Sequence, residues 1–78
     1  MILSVHAKER MLSKNISEDE VLQCLDFGVL KATNCVEGEI RHYKRLDLKE
    51  KSVVVIYTFE NDELRVITVY AIINKWKK

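Results

Sequence analysis

The hydrophobic period of this chain changes once, at Gly28, and that change limits the possible fold more than any other feature. Upstream of it, apolar residues recur at helical spacing: Leu3, Ala7 and Met11, then Val21, Leu22, Cys24 and Leu25. Downstream they alternate, or run together in stretches rich in Val, Ile, Tyr and Thr, as strands do. No proline interrupts either part, and the only glycines are Gly28 and Gly38. With 78 residues, one domain over residues 1–78 is expected, with no room for a second domain or a large cleft.

Local signals set the expected elements. Ser4 can cap a helix over residues 4–14 that Asn15 breaks. Ser17 and Glu20 fit a capping box at the start of a second helix, so Glu18, Asp19 and Glu20 read as a cap and not as a metal site. Gly28 reads as a left-handed stop after that helix. Strands are expected over residues 29–35, 39–46, 52–59 and 64–72, with turns at Glu37-Gly38 and Asn61-Asp62. This ααββββ order implies an α+β fold: two N-terminal helices packed on one face of a four-stranded antiparallel sheet, with the other face left as an open platform. Residues 74–78 read as a basic, solubilising tail bearing Trp76.

Thirteen Lys+Arg against 12 Asp+Glu give a net charge of +1, too little to steer the whole molecule to nucleic acid. The halves differ: residues 1–39 carry four basic and seven acidic residues, residues 40–78 nine and five. Cys24 and Cys35, with no close spacing, read as small buried or half-buried residues of a reducing, cytoplasmic compartment. The start of the chain lacks the apolar core of a signal peptide, and no stretch has the length of a membrane span. His6, Cys24, Cys35 and His42 show no metal-ligand spacing, so no metal or other cofactor is expected.

Three groups of residues carry potential chemistry. His6, Arg10 and Lys14 follow at four-residue steps on one helical face, next to the Leu3, Ala7, Met11 stripe. An imidazole beside two cations suits metal-independent RNA cleavage, which needs proton transfer and charge to meet the phosphate. His6 and Arg10 are therefore the candidate catalytic pair. Arg41, Tyr43 and Arg45 share one strand face, opposite Ile40, His42, Lys44 and Leu46, and offer two phosphate contacts around a stacking ring. With Lys14 they form the candidate nucleic-acid contacts. Thr68 and Tyr70 share a face of the last strand, where a hydroxyl and a phenol could orient a substrate. Each group also has a plainer reading as solvated charge or good strand residues, which leaves a non-enzymatic module that pairs with itself or with a partner protein as the alternative.

The run His6-Ala7-Lys8-Glu9-Arg10-Met11, followed by Lys14-Asn15-Ile16-Ser17, Glu20-Val21, Gly28 and the closing Val66-Ile67-Thr68-Val69-Tyr70, resembles a family of short bacterial and archaeal proteins catalogued as a domain of unknown function. The likeness spans residues 3–70. It implies helices followed by an antiparallel sheet, a layout similar to RelE/ParE- and BrnT-type toxins and other small metal-independent ribonucleases. It also implies a toxin-like role, with RNA as substrate and a small antitoxin protein as partner. The family's His and Arg fall on His6 and Arg10, and its Thr and Tyr on Thr68 and Tyr70. Its second Arg is Lys14 here, which keeps the charge and loses the bidentate fork.

Overall fold

The computed structural model describes residues 1–73; the basic tail lies outside them. The elements are β1 (Ile2–Leu3), α1 (Val5–Lys14), α2 (Glu18–Phe27), β2 (Val29–Val36), β3 (Glu39–Asp47), β4 (Lys51–Glu60) and β5 (Glu63–Ile73). The long strands begin and end within one residue of the sequence expectation.

The expected four-stranded antiparallel sheet is not what forms. Among the described residues the sheet has five strands, in the order β1-β5-β4-β3-β2, and it is mixed. β1 pairs parallel to β5 through Ile2↔Arg65 and Leu3↔Val66. Two residues carry no readable period, so this strand exists only because β5 is beside it. The Ser4 amide continues the attachment by donating to the Val66 carbonyl at 3.1 Å.

Both helices start as their caps require. The Ser4 hydroxyl accepts from the Ala7 amide at 3.0 Å, and α1 ends on Asn15 in the left-handed conformation, φ 54°. In α2 the Ser17 hydroxyl accepts from the Glu20 amide at 3.1 Å while the Glu20 carboxylate accepts from the Ser17 amide at 2.9 Å. Lys51 clamps this corner, donating to Glu20 Oε1 at 3.0 Å and the Asn15 carbonyl at 2.9 Å. The Ser17 amide, ahead of Lys51, holds the Glu20 carboxyl below the usual glutamate range.

Gly28 does not act as a left-handed stop; its φ is −68° and its backbone is extended. Its role is close approach. A Cβ there would sit 2.3 Å from the Cys24 carbonyl oxygen and 3.1 Å from that of Arg45. Only glycine lets the chain leave α2 directly into β2 against β3.

The helices cover one sheet face. Ala7, Ile16, Val21 and Cys24 pack on Val53, Val55, Tyr57, Val66 and Val69, with Leu3, Met11 and Leu46 at the margin. Each fully buried valine contributes about 1.5–3 kcal/mol relative to an exposed one. Polar atoms under α2 are satisfied: the Cys24 thiol faces the carbonyls of Lys44 and Val53, each at 3.4 Å, and burial raises its pKa. Lys44 donates to the Leu25 carbonyl at 2.6 Å, near the negative end of α2.

Both hairpin turns have positive φ at their two central residues, Glu37 (52°) with Gly38 (83°) and Asn61 (52°) with Asp62 (63°). That suits the tight twist of a hairpin, and Glu37 is the side chain least suited to it. Glu37→Asn should raise stability by about 0.5–1 kcal/mol, read as a higher urea midpoint at unchanged slope. Because the folded-state pKa of Glu20 is depressed, its contribution is present above its unfolded value and is lost as pH falls through the folded one. The stability gap between the wild type and Glu20→Gln should therefore be flat near neutrality and close below about pH 5, in urea titrations across pH.

Candidate functional site

The face away from the helices is ordered by strand register. Arg45 pairs with Val54 and Val54 with Tyr70; Tyr43 pairs with Ile56 and Ile56 with Thr68. These rows run straight across β3, β4 and β5, so their ends are about 10 Å apart, two strand spacings. The alternation expected for β3 holds: Arg41, Tyr43 and Arg45 line this open face, while His42 turns to the other. There the His42 ring lies 5.2 Å from that of Tyr57 and 6.1 Å from that of Phe59, and its Nδ1 is 3.2 Å from the Thr33 hydroxyl.

A β-bulge brings α1 to the rim of this face. Ile56 pairs with Thr68 but Tyr57 with Val66, so Ile67 is an extra residue on β5. Its carbonyl accepts the Ser4 hydroxyl at 2.7 Å. From that anchor α1 runs alongside β5, and the Arg10 guanidinium carbon lies 5.8 Å from the centre of the Tyr70 ring. From Ser4 to Arg10 the helix rises about 9 Å, matching the roughly 10 Å from Ile67 to Tyr70. His6 is exposed, one turn before Arg10 on the same helical face. Thr68 is 7% exposed and its hydroxyl has no hydrogen-bond partner among the described residues.

The expected site residues thus fall into three places. Arg10 and Tyr70 meet where α1 meets β5, with His6 on the helical face of Arg10 and Thr68 on the strand face of Tyr70. Arg41, Tyr43 and Arg45 lie on β3, two strands away and outside any shared hydrogen-bond reach of His6. Lys14, in the last turn of α1, borders a different groove with Lys49, Lys51 and Ile73.

The β3 arginines are held by their own strand. Arg41 Nε donates to Glu39 Oε1 at 2.8 Å. Arg45 Nε donates to Asp47 Oδ1 at 2.8 Å and Nη2 to the Ser52 hydroxyl at 3.3 Å, while Ser52 donates to Asp47 at 2.6 Å. The Ser52 hydroxyl first, and Arg45 second, hold the Asp47 carboxyl below its usual range. Asp47 and Ser52 therefore belong to the site although the sequence reading left them out. The two-residue spacing of Glu39 to Arg41 and Arg45 to Asp47 was the available signal, since such pairs share a strand face.

Cys35 is exposed, not buried or half-buried, because it lies on the outermost strand; Cys24 is buried. No cluster of three or more His, Cys, Asp or Glu side chains that could hold a metal ion occurs among the described residues. No helix among them is long and apolar enough to cross a membrane.

This architecture defines a small α+β domain with a helix-covered face and a polar open face rimmed by α1. Residues 3–71 match the family model described as "Domain of unknown function (DUF4258)", and the chain belongs to that family. No curated protein and no solved structure matches the chain, so the expected likeness to RelE/ParE- and BrnT-type toxins has no match behind it.

The Arg45–Asp47 contact should open in acid. As Asp47 titrates below the usual aspartate range, the Arg45 Nε–H resonance should move and exchange faster with water, while that of Arg10, which faces a ring, stays put; ¹⁵N spectra across pH check this.

Proposed function

We propose that the open face binds single-stranded RNA, and that the rim formed by α1 and β5 holds one phosphodiester where His6 can act on it without a metal. The observation that carries this reading is Arg10 lying over Tyr70, in register with Arg45 across the sheet. A guanidinium on an aromatic face is preorganised and keeps its outer N–H groups for a phosphate. Tyr43 and Tyr70 sit diagonally on adjacent rows and offer ring surface to successive bases. Arg45 is already paired, but an exposed carboxylate pair is worth only about 0–1 kcal/mol, so a phosphate can compete for it. Imidazole is the group suited to proton transfer near neutral pH, and His6 is the imidazole on the helical face of Arg10. The expected roles of Arg41 and Lys14 are peripheral, as added positive charge along the strand's path.

Anisotropy of a 5′-labelled oligouridylate, at low and moderate salt, tests the binding. Arg10→Ala should weaken it about tenfold, the size of one lost charge-assisted contact, and lower the salt slope by about 0.7. Asp47→Asn, which frees Arg45, should tighten it. Cleavage of the same oligonucleotide in the presence of a chelator tests the chemistry: His6→Ala should abolish it with binding retained. No binding at low salt overturns the RNA reading; unchanged cleavage in His6→Ala removes His6 from its role.

A further inference from the structure

The sheet has two edges and the fold closes only one. β1 and α1 cover β5. At the other side, among the described residues, β2 is hydrogen-bonded to β3 alone, all eight of its residues are exposed, and no strand lies beside its outer amides and carbonyls. Edges of this length are usually guarded by lysines, prolines or a sharp twist. β2 has no proline and only Lys31, at a bulge, while Val29, Leu30 and Val36 stand exposed along it.

The hydrophobic surface continues past the end of β2. A groove of about 570 Å³ opens between the two hairpins, lined by Ile40, His42 and Phe59 together with Glu37, Glu39 and Glu60. Ile40 and Phe59 are each more than half exposed, because the helices stop short of this end of the sheet. There the Phe59 ring packs edge to face on His42 and on Tyr57, whose own rings lie tilted against each other, in one aromatic cluster.

Charge selects the occupant. Residues 18–39, from α2 to the first hairpin, carry six carboxylates against Lys31. Glu20 and Glu39 are paired with Lys51 and Arg41; Glu18, Asp19, Asp26 and Glu37 have no ion-pair partner among the described residues. Of these, Asp26 and Glu37 flank the two ends of β2, while Glu18 and Asp19 lie a helix length away, so an antiparallel second copy docking edge to edge would set Asp26 of one chain toward Glu37 of the other, which opposes self-pairing. A basic segment meets only Lys31 on β2 itself, since Arg41 and Arg45 of β3 are paired with Glu39 and Asp47 and Lys44 is held on the Leu25 carbonyl.

We propose that β2 is a docking edge for an extended segment of a partner protein in which Lys or Arg alternates with apolar residues. It adds as a sixth strand beside β2 and lays apolar side chains toward the hairpin groove. This surface is on the opposite side of the sheet order from the α1 rim, so partner and RNA need not compete.

Two synthetic decapeptides, one alternating Lys with Val and one alternating Glu with Val, test this on the intact protein by ¹⁵N NMR and amide hydrogen exchange. The Lys-Val peptide should shift residues 29–42 and protect alternate amides of β2. The double variant Asp26→Asn, Glu37→Gln should weaken it at least about threefold, as loss of two rim charges does, while Tyr70→Ala should leave it unchanged. Equal binding of the Glu-Val peptide, no shift at millimolar peptide, or shifts gathered on Arg10 and Tyr70 would each overturn the proposal. A dimer that protects the same β2 amides without peptide would also overturn it, and would assign the edge to a second copy.

Discussion

One hydroxyl holds the arrangement together. Ser4 accepts from the Ala7 amide, which starts α1, and donates to the Ile67 carbonyl, which belongs to the bulge on β5. The two bonds fix where α1 begins and which strand it follows. The bulge matters as much as the bond. In an unbroken strand Val66, Thr68 and Tyr70 would share a face; the extra residue sends Val66 and Val69 into the core and leaves Thr68 and Tyr70 on the open side. Arg10 over Tyr70 follows from this geometry.

The two faces of the sheet handle polar groups differently. Under the helices, the Cys24 thiol and the Lys44 ammonium are spent on backbone carbonyls, which lets them sit in or beside an apolar core. On the open face Arg41 and Arg45 are tied to carboxylates two residues away on their own strand. Such exposed pairs add little stability, but they keep long side chains extended along the surface. Arg10 differs because a ring positions it and, among the described residues, no carboxylate pairs with it. That is why the proposed RNA site is centred on the rim and not on the arginine-rich strand.

Much of this was legible before any coordinates. The Ser17–Glu20 box, the helix break at Asn15, the two hairpin turns and the alternation of β3 all appear as read, because each rests on residues a few positions apart. The pairing of Thr68 with Tyr70 on one face was also correct, since both lie beyond the bulge. Where His6 lies relative to the arginines of β3 was not there to be read; the strand order puts β3 two strands from β5, the strand that α1 follows. Gly28 was recognised as a stop, but its reason, a carbonyl oxygen 2.3 Å from any Cβ, depends on how α2 docks and not on its own φ.

The sequence by itself determined the two capped helices, the four long strands, their turns and the composition of each strand face. These follow from periodicity and from hydrogen bonds within one turn or hairpin. The tertiary structure alone decided the parallel strand β1, the bulge at Ile67, the exposure of Cys35 on a free edge, and the meeting of Arg10 with Tyr70. Each joins segments far apart in the chain, as the Ser4–Ile67 bond does across 63 positions. No local preference specifies such a contact; burying the Ala7 face of α1 against Val66 and Val69 does.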